Sequence, residues 1–247
     1  GYFGGGQDSK LNNLSSVEKL AFSTESVTSL KKVLSETRIN HAGMANSGTA
    51  GYFAGTGGAG VTSSSIDKIA FSNDTSSLLA ATLSTTAYQL AGMANSGTAG
   101  YFGGGIDGTG SSRSSIDKIT FSTDTRSTLT ATLSSIKQRL AAMANSGTAG
   151  YFGAGIDGTG SRSSSIDKIT FSTDTRSTLT ATLSNSVYSP TAMANSGTAG
   201  YFGGGTTTVY ISSIDKIAFS NDTSSALSSN LSTNNTQLAA AAGSLGI

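Results

Sequence analysis

The chain has 247 residues, a formal net charge of +1 and 12% charged residues, with 32 glycines, one histidine and no cysteine. So small a net charge argues against a nucleic-acid track, and the missing cysteines exclude disulfides and thiolate metal sites. A single histidine cannot supply a histidine metal cluster or a set of serine triads, and no apolar run reaches the roughly 18 residues of a membrane-spanning helix.

One sequence string recurs about every fifty residues along the whole chain. Met-Ala-Asn-Ser-Gly-Thr-Ala-Gly starts at Met44, Met93, Met143 and Met193, and each copy leads into Tyr-Phe and a glycine cluster. The chain opens on Tyr-Phe without that string, and residues 237–244 match its beginning. The two ends therefore read as halves of one repeat, and a period near fifty with strand-like texture predicts propeller blades.

Four strands are predicted in each repeat, as the third one shows in chain order. Residues 89–96 are small, which favours an innermost strand a beside the axis. Residues 100–104 form strand b, and residues 115–121 form strand c, which is apolar on both faces. Residues 127–133, about a turn later, form strand d. The fold class is thus an all-β, five-bladed β-propeller with four-stranded antiparallel blades, its ring closed by pairing of N-terminal strand b with C-terminal strand a.

The chain is expected to form a single domain. Its blades are predicted to span residues 1–35 with 237–247, 36–84, 85–134, 135–184 and 185–236.

Most acidic residues occupy repeated positions, which argues against catalysis. Ten of the fourteen acids recur in strand c or in the c–d turn, where an Asp can bond its own backbone. Acid/base chemistry needs two convergent titrating groups, and the remaining four acids are a poor supply. We expect no enzyme activity, no cofactor and no metal. The lysine after each strand c acid indicates either a ring of charge around a channel or a ladder linking adjacent strands or blades.

Differences between the repeats concentrate in two of the four connections. The d–a and b–c loops diverge, whereas the a–b and c–d turns hardly change, and alternate connections of an antiparallel blade lie at the same end. One face of the disc then carries residues that differ from blade to blade, either because that face contacts a partner or because loop sequences change without consequence. The candidate partner-binding residues are Arg38, Tyr88, Arg139, Tyr188 and Tyr210, an aromatic and polar mixture that suits sugar or protein recognition.

The segments from Arg38 to Met44 and from Ala50 to Gly55 together resemble the kelch motif, in which Arg and His-Ala precede an aromatic strand ending in paired glycines. The outer-strand tryptophan of that family is absent. The wording Ile-Asp-Lys-Ile-x-Phe-Ser-x-Asp-Thr with Gly-Tyr-Phe-Gly-Gly-Gly is similar to kelch-like repeats of bacteriophage and bacterial surface proteins. The resemblance implies a propeller and, by fold analogy, no particular function.

Together these features predict a non-enzymatic structural or adhesive domain of a phage particle or bacterial surface. Its partners would be other virion or surface proteins, or a host cell-surface glycan or protein, with no nucleic acid and no membrane insertion. Its location would be the virion or the extracellular surface. The alternative is a multivalent carbohydrate-binding lectin with related sites on several blades.

Overall fold

The computed structural model describes residues 1–58 and 61–236, which contain strands and no helix. The first sheet consists of β1 (Tyr2–Gly4), β2 (Val17–Ala21) and β3 (Ser26–Ser29). The second consists of β4 (Ala42–Asn46), β5 (Ala50–Gly58), β6 (Val61–Ala70) and β7 (Thr75–Leu78). The third consists of β8 (Ala91–Asn95), β9 (Ala99–Gly103), β10 (Ile116–Thr120) and β11 (Thr125–Thr128). The fourth consists of β12 (Ala141–Asn145), β13 (Ala149–Gly153), β14 (Ile166–Thr170) and β15 (Thr175–Thr178). The fifth consists of β16 (Thr191–Asn195), β17 (Ala199–Gly203), β18 (Ile214–Ala218) and β19 (Thr223–Ala226).

The five sheets are the blades of a β-propeller, which confirms the predicted fold class. Strands that follow each other within a sheet are antiparallel neighbours, and the inner strands β4, β8, β12 and β16 contact one another in that order. The blades are therefore arranged in a ring about the inner strands. The predicted pairing of β1 with a C-terminal strand a falls on residues 237–247, which lie outside the described residues.

The strand boundaries of the third blade match three of the four predictions to within two residues. The exception is strand d, predicted at residues 127–133 but observed as β11, which begins directly after the c–d turn and ends at Thr128. Leu133 is buried in the core beneath the sheet edge, and its amide bonds the Ser114 carbonyl at 2.8 Å. Leu133 thus anchors the loop that follows β11 instead of continuing the strand.

Adjacent blades are joined by one repeated set of side-chain contacts. The Tyr101 ring stacks on Phe171 of the next blade with centroids 5.1 Å apart, and its hydroxyl donates to Asp174 at 2.8 Å. Lys118 forms an ion pair with the same carboxylate at 2.6 Å. The other three sets are Tyr2, Lys19, Phe71 and Asp74; Tyr52, Lys68, Phe121 and Asp124; and Tyr151, Lys168, Phe219 and Asp222.

These contacts confirm the predicted ladder between blades, because four of the strand c lysines each pair with an aspartate of the next blade. The c–d turn aspartate was expected to bond its own backbone, but Asp124 takes a left-handed φ of 53° and directs its carboxylate to the preceding blade. The turn is closed locally by its threonines, since the hydroxyls of Thr123 and Thr125 are 2.7 Å apart. Burial, reinforced by the hydrogen bond to Asp174, raises the pKa of the Tyr101 hydroxyl well above its usual value.

In the third and fourth blades, the two glycines of the Gly-Tyr-Phe-Gly segment leave room for a neighbouring blade. A Cβ on Gly100 would lie 2.0 Å from the Met44 methyl group, and one on Gly103 would lie 2.7 Å from the Phe152 ring. Close packing of this kind tolerates no extra methyl group without displacement. The glycine pattern is therefore a consequence of blade packing.

The constant a–b turns are also linked to each other. The Gly97 amide donates to the Asn46 side chain of the preceding blade at 2.7 Å, and the Ser96 amide donates to the Ser146 hydroxyl of the next blade at 3.1 Å. Gly97 has a φ of +82°, in the left-handed region that glycine adopts without strain. We call the surface formed by the a–b and c–d turns the turn face. Its sequence is constant because each turn must fit its neighbours.

The seam between the fifth and first blades differs from the other four. Within residues 1–58 and 61–236, no stack or ion pair joins Tyr201 and Lys216 to the equivalent first-blade positions, Phe22 and Glu25. Phe22 is 78% exposed, whereas its counterpart Phe121 is 7% exposed. The turn acid here is also a glutamate, so this seam departs from the repeated contact set in both sequence and packing.

Candidate binding site on the loop face

The d–a and b–c loops lie together on one face of the disc, as predicted, and we call it the loop face. The Tyr88 amide donates to the Ile106 carbonyl at 3.1 Å, and the Ile106 amide returns a bond to Tyr88 at 2.8 Å. The same two-way bridge joins Gln138 to Ile156 and Tyr188 to Thr206. Backbone bridges hold these loops in fixed positions, which preorganises whatever side chains they carry.

The acids of strand c fasten the d–a loops from below. Asp117 is buried and accepts hydrogen bonds from the amide and hydroxyl of Ser84 at 3.0 and 2.9 Å. Asp67, Asp167 and Asp215 hold the serines of three other d–a loops in the same way. These carboxylates are therefore structural parts of the loop face.

A shallow depression of about 340 Å³ opens at the centre of the loop face. Its rim carries one equivalent residue from each of four blades, and each of the four has a left-handed φ of 52 to 55°. Those residues are Asn40, Gln89, Arg139 and Ser189. The amide of each later residue donates to the carbonyl of the one before it, at 2.6, 2.9 and 2.7 Å. Different side chains are thus presented from one repeated backbone conformation.

Arg38 does not reach the loop face, which corrects its assignment as a partner-binding residue. Its side chain is completely buried, its Nη2 lies 2.7 Å from Asp67, and its Nη1 donates to the Gly55 carbonyl at 2.7 Å. A buried charge must be paired, and Arg38 is the pair of Asp67. Lys137 is the equivalent residue in the d–a loop that leads into the fourth blade. Its Nζ lies 3.4 Å from the carboxylate of buried Asp167.

The other four predicted residues do lie on the loop face but do not form one cluster. Tyr88 is half-buried, and a Cβ on Gly57 would meet its ring at 2.2 Å. Tyr210 is 57% exposed and bridges Thr206 through the backbone. Arg139 and Tyr188 are brought together, with the guanidinium carbon 5.6 Å from the ring centroid.

The sequence analysis missed Arg162, whose guanidinium lies 5.7 Å from the same Tyr188 ring. A signal was present in the b–c loops, where Gly-Ser-Ser-Arg in the third blade becomes Gly-Ser-Arg-Ser in the fourth. In an extended segment, a shift of one residue sends a side chain to the opposite side. Arg113 is accordingly turned inward, 3.9 Å from Asp117, whereas Arg162 is exposed.

His41 also lines the central depression, but it is packed into the protein. Its ring lies 5.8 Å from Phe53, and burial, with a smaller effect of the Arg38 charge, lowers its pKa to about 4. A neutral imidazole is therefore expected near pH 7. Within the part of the chain that the structure describes, no three His, Cys, Asp or Glu side chains are grouped to hold a metal ion, and no helix could span a membrane.

The chain matches a known protein in fold and not in sequence. No protein-family model matches the chain, and neither does any curated protein sequence. The fold is similar to the structure of YjhT, a propeller, with a TM-score of 0.73 and 14% sequence identity. That match covers 92% of this chain and 80% of the YjhT chain. Identity this low establishes a shared propeller fold, which the described sheets show independently.

Proposed function

We propose that this protein is a non-enzymatic binding module whose partner contacts the loop face. The observation that carries the proposal is the contrast between the two faces of one disc. The turn face repeats because its turns bond each other, as Gly97 does to Asn46. The loop face is equally rigid but presents different side chains from equivalent positions, which is how a scaffold supports recognition.

The use of the acidic residues supports a non-enzymatic role. The strand c acids hold the d–a loops, and most c–d turn acids join neighbouring blades. The side chains of Asp8, Asp107 and Asp157 accept hydrogen bonds from amides of their own b–c loops. Catalysis by a pair of acids requires them to converge on a substrate, whereas these groups are separated and engaged in the scaffold.

The proposed setting is a phage particle or a bacterial surface. It rests on the similarity of the repeat wording to kelch-like repeats of such proteins. The partners would be other virion or surface proteins, or a host cell-surface glycan or protein.

A multivalent lectin is the second candidate. One observation favours it: Tyr88 and Tyr188 occupy equivalent bridged positions on the loop face, each beside the central depression. Partly exposed aromatic rings flanked by amides and hydroxyls are suitable contacts for sugars, because they combine an apolar body with a polar tip. Two equivalent tyrosines would give two related sites in each chain.

The proposal is tested with paired variants on the two faces. The purified domain is applied to a broad glycan array and to a panel of intact bacteria, together with a Tyr88→Ala/Tyr188→Ala variant and a turn-face variant, Thr123→Ala/Thr173→Ala. We expect the loop-face variant to lose at least tenfold in binding with an unchanged melting temperature, and the turn-face variant to bind normally. Silence on the array rejects the lectin, and loss of cell binding only in the turn-face variant rejects the loop face.

A further inference from the structure

Two guanidinium groups from different loops converge on one aromatic ring of the loop face. Arg139 comes from the d–a loop that leads into the fourth blade, and Arg162 comes from the b–c loop of that blade. Both lie over Tyr188, which leads into the fifth blade, at 5.6 and 5.7 Å from the ring centroid. The ring stabilises both cations but does not neutralise them.

Neither cation is balanced by a carboxylate within the described residues. Arg139 donates from Nε to the Gln89 amide oxygen at 3.1 Å, a neutral acceptor, and Arg162 forms no ion pair. The carboxylate of Asp157, in the same loop as Arg162, accepts from the amides of Thr159 and Ser161. The other arginines near strand c behave differently, since each lies within 4.0 Å of a buried aspartate.

We propose that the group formed by Arg139, Arg162 and Tyr188 binds an oxyanion of an acidic polysaccharide, a carboxylate or a sulfate ester. The inference rests on the proposed function, because it names the chemistry that the loop face recognises. Planar guanidinium groups bind such oxyanions through paired, charge-assisted hydrogen bonds, which are stronger than the bonds that a neutral ligand can accept.

The neighbouring depression favours a polysaccharide over an acidic protein segment. Its rim presents the side chains of Asn40, Gln89 and Ser189, which can bond sugar hydroxyls, and its volume of about 340 Å³ is in the range of small-ligand sites. A peptide that bound by adding a strand would require a free strand edge. The loop edges beside Tyr188 are already bridged to Thr206.

The chain contains a matched site without the charges. Tyr88 is the counterpart of Tyr188, and the residues equivalent to the two arginines are Asn40 and Thr62. Asn40 has a φ of 53°, the same as that of Arg139, so the backbone there already accepts an arginine. Loss of the site can therefore be tested at the first position, and gain of a site at the corresponding sequence positions beside Tyr88.

Binding is measured by titration calorimetry with four probes: polygalacturonate, dextran sulfate, neutral dextran and poly-glutamate. We expect binding of polygalacturonate or dextran sulfate that weakens with added salt, and none of neutral dextran. The Arg139→Gln/Arg162→Ser variant, which carries the residues of the third blade, should bind at least tenfold more weakly with an unchanged melting temperature. A variant with the same loss of charge, Arg126→Gln/Arg176→Gln on outer strands, should bind as the unmodified protein does.

A variant that introduces arginines beside Tyr88 tests for a gain of binding. Asn40→Arg/Thr62→Arg should raise the number of bound polysaccharide segments per chain from one to two. Equal binding by the Arg139→Gln/Arg162→Ser variant and the unmodified protein overturns the proposal, as does binding of poly-glutamate alone. If no polyanion binds while neutral glycans or cells still require Tyr88 and Tyr188, this inference fails and the proposed function stands.

Discussion

Removing one phenol hydroxyl measures the strength of the interblade contact. Tyr101→Phe keeps the ring stacked on Phe171 but deletes the hydrogen bond to Asp174, which measures 2.8 Å. A hydrogen bond to a charged group contributes about 1.5–3 kcal/mol. The Asp174 side chain is 30% exposed and keeps Lys118 as a partner, so we expect a value at or just below the lower end of that range, about 1–2 kcal/mol.

The corresponding change in melting temperature follows from the size of the chain. An unfolding entropy of about 2.1 cal/mol/K per residue gives about 0.5 kcal/mol/K for this protein, so Tyr101→Phe should lower the melting temperature by about 2–4 °C in calorimetry. Tyr201→Phe is the control, because its hydroxyl has no hydrogen-bond partner among the described residues. Equal losses at both positions, or none at Tyr101, would refute the assigned role of the hydroxyl.

Three further perturbations test other parts of the scaffold. The pKa of His41 is lowered to about 4, so its neutral form stabilises the folded state above the unfolded pKa near 6.5; that contribution, up to about 3 kcal/mol, should be lost as the pH falls from 6.5 through 4. Proton NMR of the one imidazole checks this, and a pKa near 6.5 would contradict it. Arg38→Leu leaves Asp67 buried without its cation and should cost about 3–5 kcal/mol in denaturant unfolding, whereas a loss below about 1 kcal/mol would show that the pair is dispensable. Gly97→Ala meets no atom within 4 Å but forces a left-handed φ on alanine, so it should cost about 1–2 kcal/mol; an unchanged stability would show that the turn relaxes.

The repeat made the architecture predictable because equivalent positions must have equivalent surroundings. The residues of strand c could be assigned in one copy of the repeat, and the same assignment then applied to the other copies. What the repeat could not show is which blade a side chain reaches. Asp124 was assigned to its own turn, yet its partner Tyr52 lies 72 residues earlier, and no local pattern encodes that distance.

The loop face could be predicted from the sequence, but the contacts that its side chains make could not. Arg38 and Arg139 both belong to variable d–a loops, but only the first points down to the buried aspartate of strand c. They lie two positions apart in the repeat, since Lys137 is the counterpart of Arg38, and that difference decides between core and surface. Arg162 was missed for the related reason that its orientation depends on a one-residue shift relative to Arg113.

The most direct test of the account is to make the loop face as uniform as the turn face. A variant in which residues 39–40, 88–89 and 188–189 carry Gln-Arg, the sequence of residues 138–139, would keep the buried residues Arg38, Ala87 and Val187 and every interblade contact of Tyr101 and its counterparts. The account predicts an unchanged melting temperature together with loss of binding to the cells or glycans that the unmodified protein recognises. Full binding by the uniform disc would show that the variation among the loops carries no recognition.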